Sequence, residues 1–323
     1  MSTQLLPPNL TGKFRLSSLV VVAMVFGCLS QLNAYTITET FDLDAGWNAI
    51  YPNVVPTSPK VEDAFADLPS GSKVYAYFAE EDPGRFVESG ASATWRSASW
   101  HRWTNISPES DFNNLYAVVA QIPLVIYVEE DTTLSIEGEP VATVADNGIY
   151  EFDLRGLIVN EDNTVTFNEF FSTCTPPKAI FDLVDGLWQE VSLDSVIQSG
   201  NAYWFYHEDS ISYDGPIDFR NLPETTLYLG TGYTSIDYSV ETDSVGLVIE
   251  SVSGDLSLEV GDGFLADKFL SLLSSVTLKE LSESLVSRLQ LRLTDDFDLE
   301  SGSIVIRLSD SLGYTSRYLA IRY

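Results

Sequence analysis

Outside the carboxylates, this chain holds few residues that could do chemistry. It has two histidines, His101 and His207, and two cysteines, Cys28 and Cys174, among 323 residues. Two histidines far apart in the sequence do not make a usual zinc site. Cys174 sits in the loop-like run STCTPP, with no histidine beside it to take its proton. His207 lies in Tyr-His-Glu-Asp, but no nucleophile elbow exists for it to serve. Metalloprotease, phosphate-loop and dinucleotide glycine patterns are absent as well. Acids are plentiful, 47 against 17 basic residues. A glycosidase needs two of them roughly 5–10 Å apart, and so acidic a chain supplies such pairs by chance. The expectation is a protein without enzymatic activity; a secreted hydrolase with an unrecognised carboxylate pair is the third-ranked alternative.

Two clusters remain. Hard cations need several oxygens from a tight loop. Asp295, Asp296 and Asp298 are the calcium candidates, without the spacing of an EF-hand, and ordinary solvated turns explain them equally. No other cofactor is expected. The second cluster is Trp95, Arg96, Trp100, His101, Arg102 and Trp103, aromatic and basic in a strongly acidic protein. Exposed indoles stack on the apolar faces of sugars, and arginine donates to hydroxyls or carboxylates. The competing expectation is that these tryptophans fill a core. Trp47, Trp188 and Trp204 sit in apolar strand patterns and are read as core.

The formal net charge of −30 makes nucleic acid and anionic membranes poor partners. Lys13 and Arg15 precede the uncharged run Leu16–Leu29, as in a signal peptide, and the run is shorter than a spanning helix requires. Residues 1–34 are therefore expected to be a leader cleaved after Ala34. Cleavage after Ser30, an uncleaved anchor and lipidation at Cys28 are alternatives. No later run is long and apolar enough to span a membrane, so none is expected in the mature chain. That chain is placed outside the cell or on its surface. Cys174 would be its single cysteine, which leaves no internal disulfide.

The elements that must position these residues read as strands. Phe41–Pro52, FDLDAGWNAIYP, alternates apolar and acidic residues before a Gly-Trp and a closing proline. A divergent copy follows. Phe152-Asp153-Leu154 echoes Phe41-Asp42-Leu43, Lys178-Ala179-Ile180 echoes Lys73-Val74-Tyr75, and Ala202–Asp209 echoes Leu124–Asp131. Gly186-Leu187-Trp188 is set against Gly84-Arg85-Phe86, which leaves residues 87–114 as an insertion without counterpart. Short helices are expected at Val61–Leu68 and Val165–Phe171. The domains are then 35–140, a β-rich module; 141–222, a shorter divergent one; and 223–323, an immunoglobulin-like antiparallel β-sandwich of short alternating runs. Within it Ala266–Leu273 is an alternative helix. The fold class is all-β with minor short helices.

The Gly-Trp-Asn opening, the Ala-Tyr-Trp-Phe-Tyr strand and the closing Glu-Gly-Glu-Pro resemble a repeat of uncharacterised exported bacterial surface proteins, found beside immunoglobulin-like modules. The second copy lacks Gly-Trp-Asn. The resemblance implies a secreted or cell-surface setting, with a cell-surface protein or polysaccharide as partner, and no reaction. The function expected is structural or adhesive. Carbohydrate binding through Trp95–Trp103 is the alternative.

Overall fold

Alternating apolar and polar residues turn most of this chain into strands. The computed structural model describes residues 36–78, 100–142, 152–160, 162–208, 215–223, 226–230, 232–240, 245–254, 256–262, 269–278, 286–294, 302–314 and 316–323. The expected leader, Trp95, Arg96, and Asp295, Asp296 and Asp298 lie outside the described residues. Residues 35–323 form one compact unit, and it is all-β, with two one-turn α-helices among the described residues.

The first part builds two sheets. Strands β1 (Ile37–Leu43), β7 (Thr132–Pro140) and β3 (Val54–Pro56) make one, in the order β1-β7-β3. Strands β2 (Gly46–Ile50), β6 (Leu124–Val128), β4 (Lys73–Tyr77) and β5 (Trp100–Thr104) make the other, in the order β2-β6-β4-β5. Helix α1 (Val61–Ala64) lies between β3 and β4. Phe41, Leu43, Val74, Leu124, Ile126 and Val128 share one apolar core with Val61 and Phe65. The helix stops after one turn, short of the expected Leu68. The apolar run Leu115–Ala120 joins no sheet; Ala117 makes an isolated bridge to Lys60.

The second part repeats the larger sheet. Strands β8 (Phe152–Gly156), β11 (Ala202–Tyr206), β9 (Ala179–Val184) and β10 (Leu187–Val191) run in the order β8-β11-β9-β10. Helix α2 (Phe167–Phe170) again falls between the first and second strands in sequence. Its start is fixed by a capping box: Thr166 accepts from the Glu169 amide, and Glu169 accepts from the Thr166 amide. Phe167, Phe170 and Phe171 pack on Tyr203 and Phe205.

Hydrogen-bond register corrects the alignment read from sequence. Tyr75 pairs with Val125, and Phe181 with Trp204; Tyr77 pairs with Trp100, and Leu183 with Trp188. Matching the core-facing residues of the two sheets makes Tyr75 equivalent to Phe181, Val125 to Trp204 and Trp100 to Trp188. Leu124 therefore corresponds to Tyr203, not to Ala202. A slip of one residue reverses the face of every side chain, and similarity of letters does not register that. Phe152-Asp153-Leu154 matches Trp47-Asn48-Ala49, not Phe41-Asp42-Leu43. The segment expected to lack a counterpart supplies β5, the partner of β10.

Residues beyond 215 form the sandwich. One sheet runs β12 (Ile217–Phe219), β14 (Tyr233–Val240), β19 (Val286–Leu293), β16 (Leu258–Asp262), β17 (Phe269–Ser271). The other runs β13 (Thr226–Tyr228), β21 (Ser316–Arg322), β20 (Ser303–Asp310), β15 (Leu247–Gly254), β18 (Ser275–Thr277). Ile236, Leu289 and Leu291 from the first meet Ile249, Ile306 and Leu319 from the second in one core. The arrangement is immunoglobulin-like: β12 pairs antiparallel to β14, whereas β13 pairs parallel to the last strand, β21. Phe269–Ser271 is a strand, so the alternative helix at Ala266–Leu273 fails there.

Candidate binding cleft between the two repeated sheets

Each repeated sheet turns one face to its own helix and the other to its sibling. The facing sides meet through Ala49, Tyr51, Leu154 and Ala202, with Tyr77, Leu183 and Trp204 packed around them. Tyr51 and Gly156 hold the same position in the two repeats, and here they touch. A Cβ added to Gly156 would lie 2.3 Å from Tyr51 Cγ, so only glycine lets the sheets approach so closely.

Aromatic rings line this seam. Tyr77 lies 5.1 Å from Trp100 and 5.0 Å from Trp204 between ring centroids, Trp47 lies 5.2 Å from Tyr127, and Trp188 lies 6.2 Å from Trp204. These are the tilted and edge-to-face spacings that ring quadrupoles favour. Toward one end the sheets diverge and leave an open cleft of about 310 Å³. Trp47, Tyr75, Trp100 and Val125 form one wall, and Leu183, Gly186 and Trp188 form the other. Asp185 and Gly186, both at positive φ, make the two-residue turn between β9 and β10 and carry the wall to its rim over Trp47. Among the described residues the lining holds no carboxylate, histidine or cysteine. Its polar groups are indole N–H and the Tyr75 hydroxyl.

The aromatic segment expected to act together is split by the pleat of β5. Trp100 faces the seam. Trp103 is 6% exposed and packs on Phe65 in the core, at 5.4 Å between rings. His101 faces the core side, its ring 5.0 Å from Phe78 and its Nδ1 3.0 Å from the Asn114 carbonyl. The Arg102 guanidinium donates to the carbonyls of Phe112 and Glu109 and lies over the Phe112 ring. Trp47, Trp188 and Trp204, expected in the core, stand on the seam instead, and Trp188 is 36% exposed. Sequence alternation gives the period of a strand but not which face meets a second sheet, so it could not separate these tryptophans. The signal that could have done so is the pairing of Trp100 with Trp188 across the duplication.

A buried polar group on the other face of the second sheet was not foreseen. Asp153, Arg155 and His207 are all buried, where the first repeat has Asn48, Ile50 and Val128. His207 lies among the rings of Phe171 and Phe205. Burial holds its pKa below the ordinary value, and Arg155 adds to the effect. Burial raises the Tyr77 hydroxyl, with Asp153 contributing. Among the described residues no three of His, Cys, Asp or Glu are gathered as a metal would need. No helix among them is long and apolar enough to cross a membrane.

No protein-family model matches the chain, and no curated protein does. Among solved structures, the CooA pilin subunit from enterotoxigenic Escherichia coli is similar at 12% identity, over 33% of this chain and 96% of that one, with a TM-score of 0.22. At that score the likeness carries no argument.

Proposed function

We propose that this is a non-enzymatic binding and adhesion protein of the cell exterior, and that the cleft between its repeated sheets receives a sugar ring of a neutral polysaccharide. The observation that carries the reading is the cleft itself: tryptophans and a tyrosine on opposed sheets, open to solvent, with no charged side chain among the described lining residues. Sugar rings present apolar C–H faces to indoles, while their hydroxyls remain free for indole N–H and water. The volume lies at the small end of ligand pockets, roughly 300–1,000 Å³. The described lining residues include no acid, base or nucleophile, which favours binding over turnover. The leader-like N-terminus and the acidic composition support the exterior setting. Calcium at Asp295, Asp296 and Asp298 is not needed for this reading.

Titration of intrinsic tryptophan fluorescence with neutral β-linked oligosaccharides tests it. A saturable change is expected that Trp100→Ala and Trp188→Ala each abolish, with the melting transition kept. No response at about 10 mM sugar, far weaker than ordinary specific binding, would sink the reading.

A further inference from the structure

The two repeated sheets end in equivalent edge strands, β5 and β10, and among the described residues only the β5 edge is covered. Along β5 the outward backbone groups of Arg102 and Thr104 are used. The Arg102 amide donates to Asn114 Oδ1, and its carbonyl accepts from the amides of Asn114 and Leu115. The Thr104 amide donates to Asn113 Oδ1, and its carbonyl accepts from Asn113 Nδ2. Segment 113–115 is thus laid along the edge like an added strand. An open edge invites pairing with another chain, and proteins usually cover it, charge it with lysine, or interrupt it with proline or a bulge.

Strand β10, Leu-Trp-Gln-Glu-Val, has no lysine, proline or bulge, and among the described residues nothing bonds to its outer edge. Four of its five residues are exposed. The two-residue turn makes Val184 and Leu187 a hydrogen-bonded pair, so Trp188 and Glu190 must point their amides and carbonyls outward. This edge is complementary to itself. In an antiparallel pairing centred on Gln189, Trp188 of one copy faces Glu190 of the other. These are the outward residues, and each such pair exchanges two hydrogen bonds. Leu187 then faces Val191, and the two Glu190 carboxylates are kept apart.

We propose that the occupant of this edge is a second copy of the chain, giving a two-fold dimer in which β10 pairs with β10 and the repeated sheet becomes eight strands wide. The contact is closed and isologous, so it stops at two copies. The axis stands perpendicular to the sheet, which sets both Trp188 clefts on one face. The proposal rests on the edge and not on what the cleft binds.

Sedimentation equilibrium of residues 35–323 tests it. Expected is a reversible dimer at about 100 μM that tightens as salt screens the charge of each chain, −32 once Lys13 and Arg15 are gone. Glu190→Pro removes an outward amide that β9 does not use, and should weaken the dimer at least about 100-fold with the far-ultraviolet spectrum unchanged. Should that variant misfold, Gln189→Cys in a Cys174→Ser background decides independently. The two-fold axis places position 189 opposite itself in a close pair, roughly 4.5 Å between Cα atoms, so oxidation should give a covalent dimer, and Trp188→Cys should not. A monomer at all salt concentrations, a dimer untouched by Glu190→Pro, or failure of Gln189→Cys to cross-link overturns the proposal.

Discussion

The first repeated sheet and the second have the same strand order and the same helix position, yet they have divided the work. In the first, Ile50 and Val128 are apolar members of the core, and Asn113 and Asn114 bond the edge at Thr104 and Arg102. In the second, Arg155 and His207 replace those apolar residues, and nothing among the described residues bonds to the edge. A duplicated module can lose stabilising features in one copy while the other copy supports it through the shared seam. Backbone topology is what both retain, because strand pairing is collective, whereas each side chain can change singly.

The largest expected effect separates two tryptophans of one strand, three residues apart on opposite faces of β5. Trp103→Ala should cost about 3–5 kcal/mol by emptying the first core, whereas Trp100→Ala, on the open seam, should cost much less; urea unfolding of both variants measures the difference. Equal losses would mean that the seam is as much a core as the interior. Next comes the point where the repeats touch. Gly156→Ala should destabilise by about 1–3 kcal/mol through overpacking against Tyr51, and Tyr51→Ala in the same chain should recover part of it. Additive losses in that double-mutant cycle would show that the two positions do not share one contact.

The buried histidine sharpens the comparison through pH. Its folded pKa lies below its unfolded value, about 6.5. The neutral form suits the fold, so this contribution is complete above that value and is lost as pH falls toward and through the folded pKa. His207→Val, which restores the first repeat's residue, should flatten the change in urea midpoint between about pH 7 and pH 5. An unchanged slope would assign the acid sensitivity to other groups. The smallest effect is at the helix start. Thr166→Ala should cost about 0.5–2 kcal/mol, while Lys60→Ala, at the cap of α1 where no side chain bonds the helix, should cost little; thermal melts compare the two.

Strand placement was legible because apolar alternation is local: the Ala-Tyr-Trp-Phe-Tyr run is the whole of β11. The helix lengths were not, because Val61 and Phe65 satisfy helical spacing over a single turn and the pattern does not say where the turn stops. The duplication was legible as an order of motifs but not as a register. Tyr203 and Trp204 are both large and aromatic, and only hydrogen bonding tells which one faces the core. The site was half legible. Trp100 was singled out, but its companions Trp47 and Trp188 looked like core because a sheet that packs on another sheet has no polar face to betray it.

The Asp185-Gly186 turn has a use of its own. It is the shortest loop a hairpin permits, it carries one rim of the cleft, and its length is not dictated by the packing beneath it. Residues inserted there would change the height of that wall while leaving both cores as they are. For anyone wishing to re-aim this scaffold toward another ligand, the tip between Val184 and Leu187 is the place to diversify.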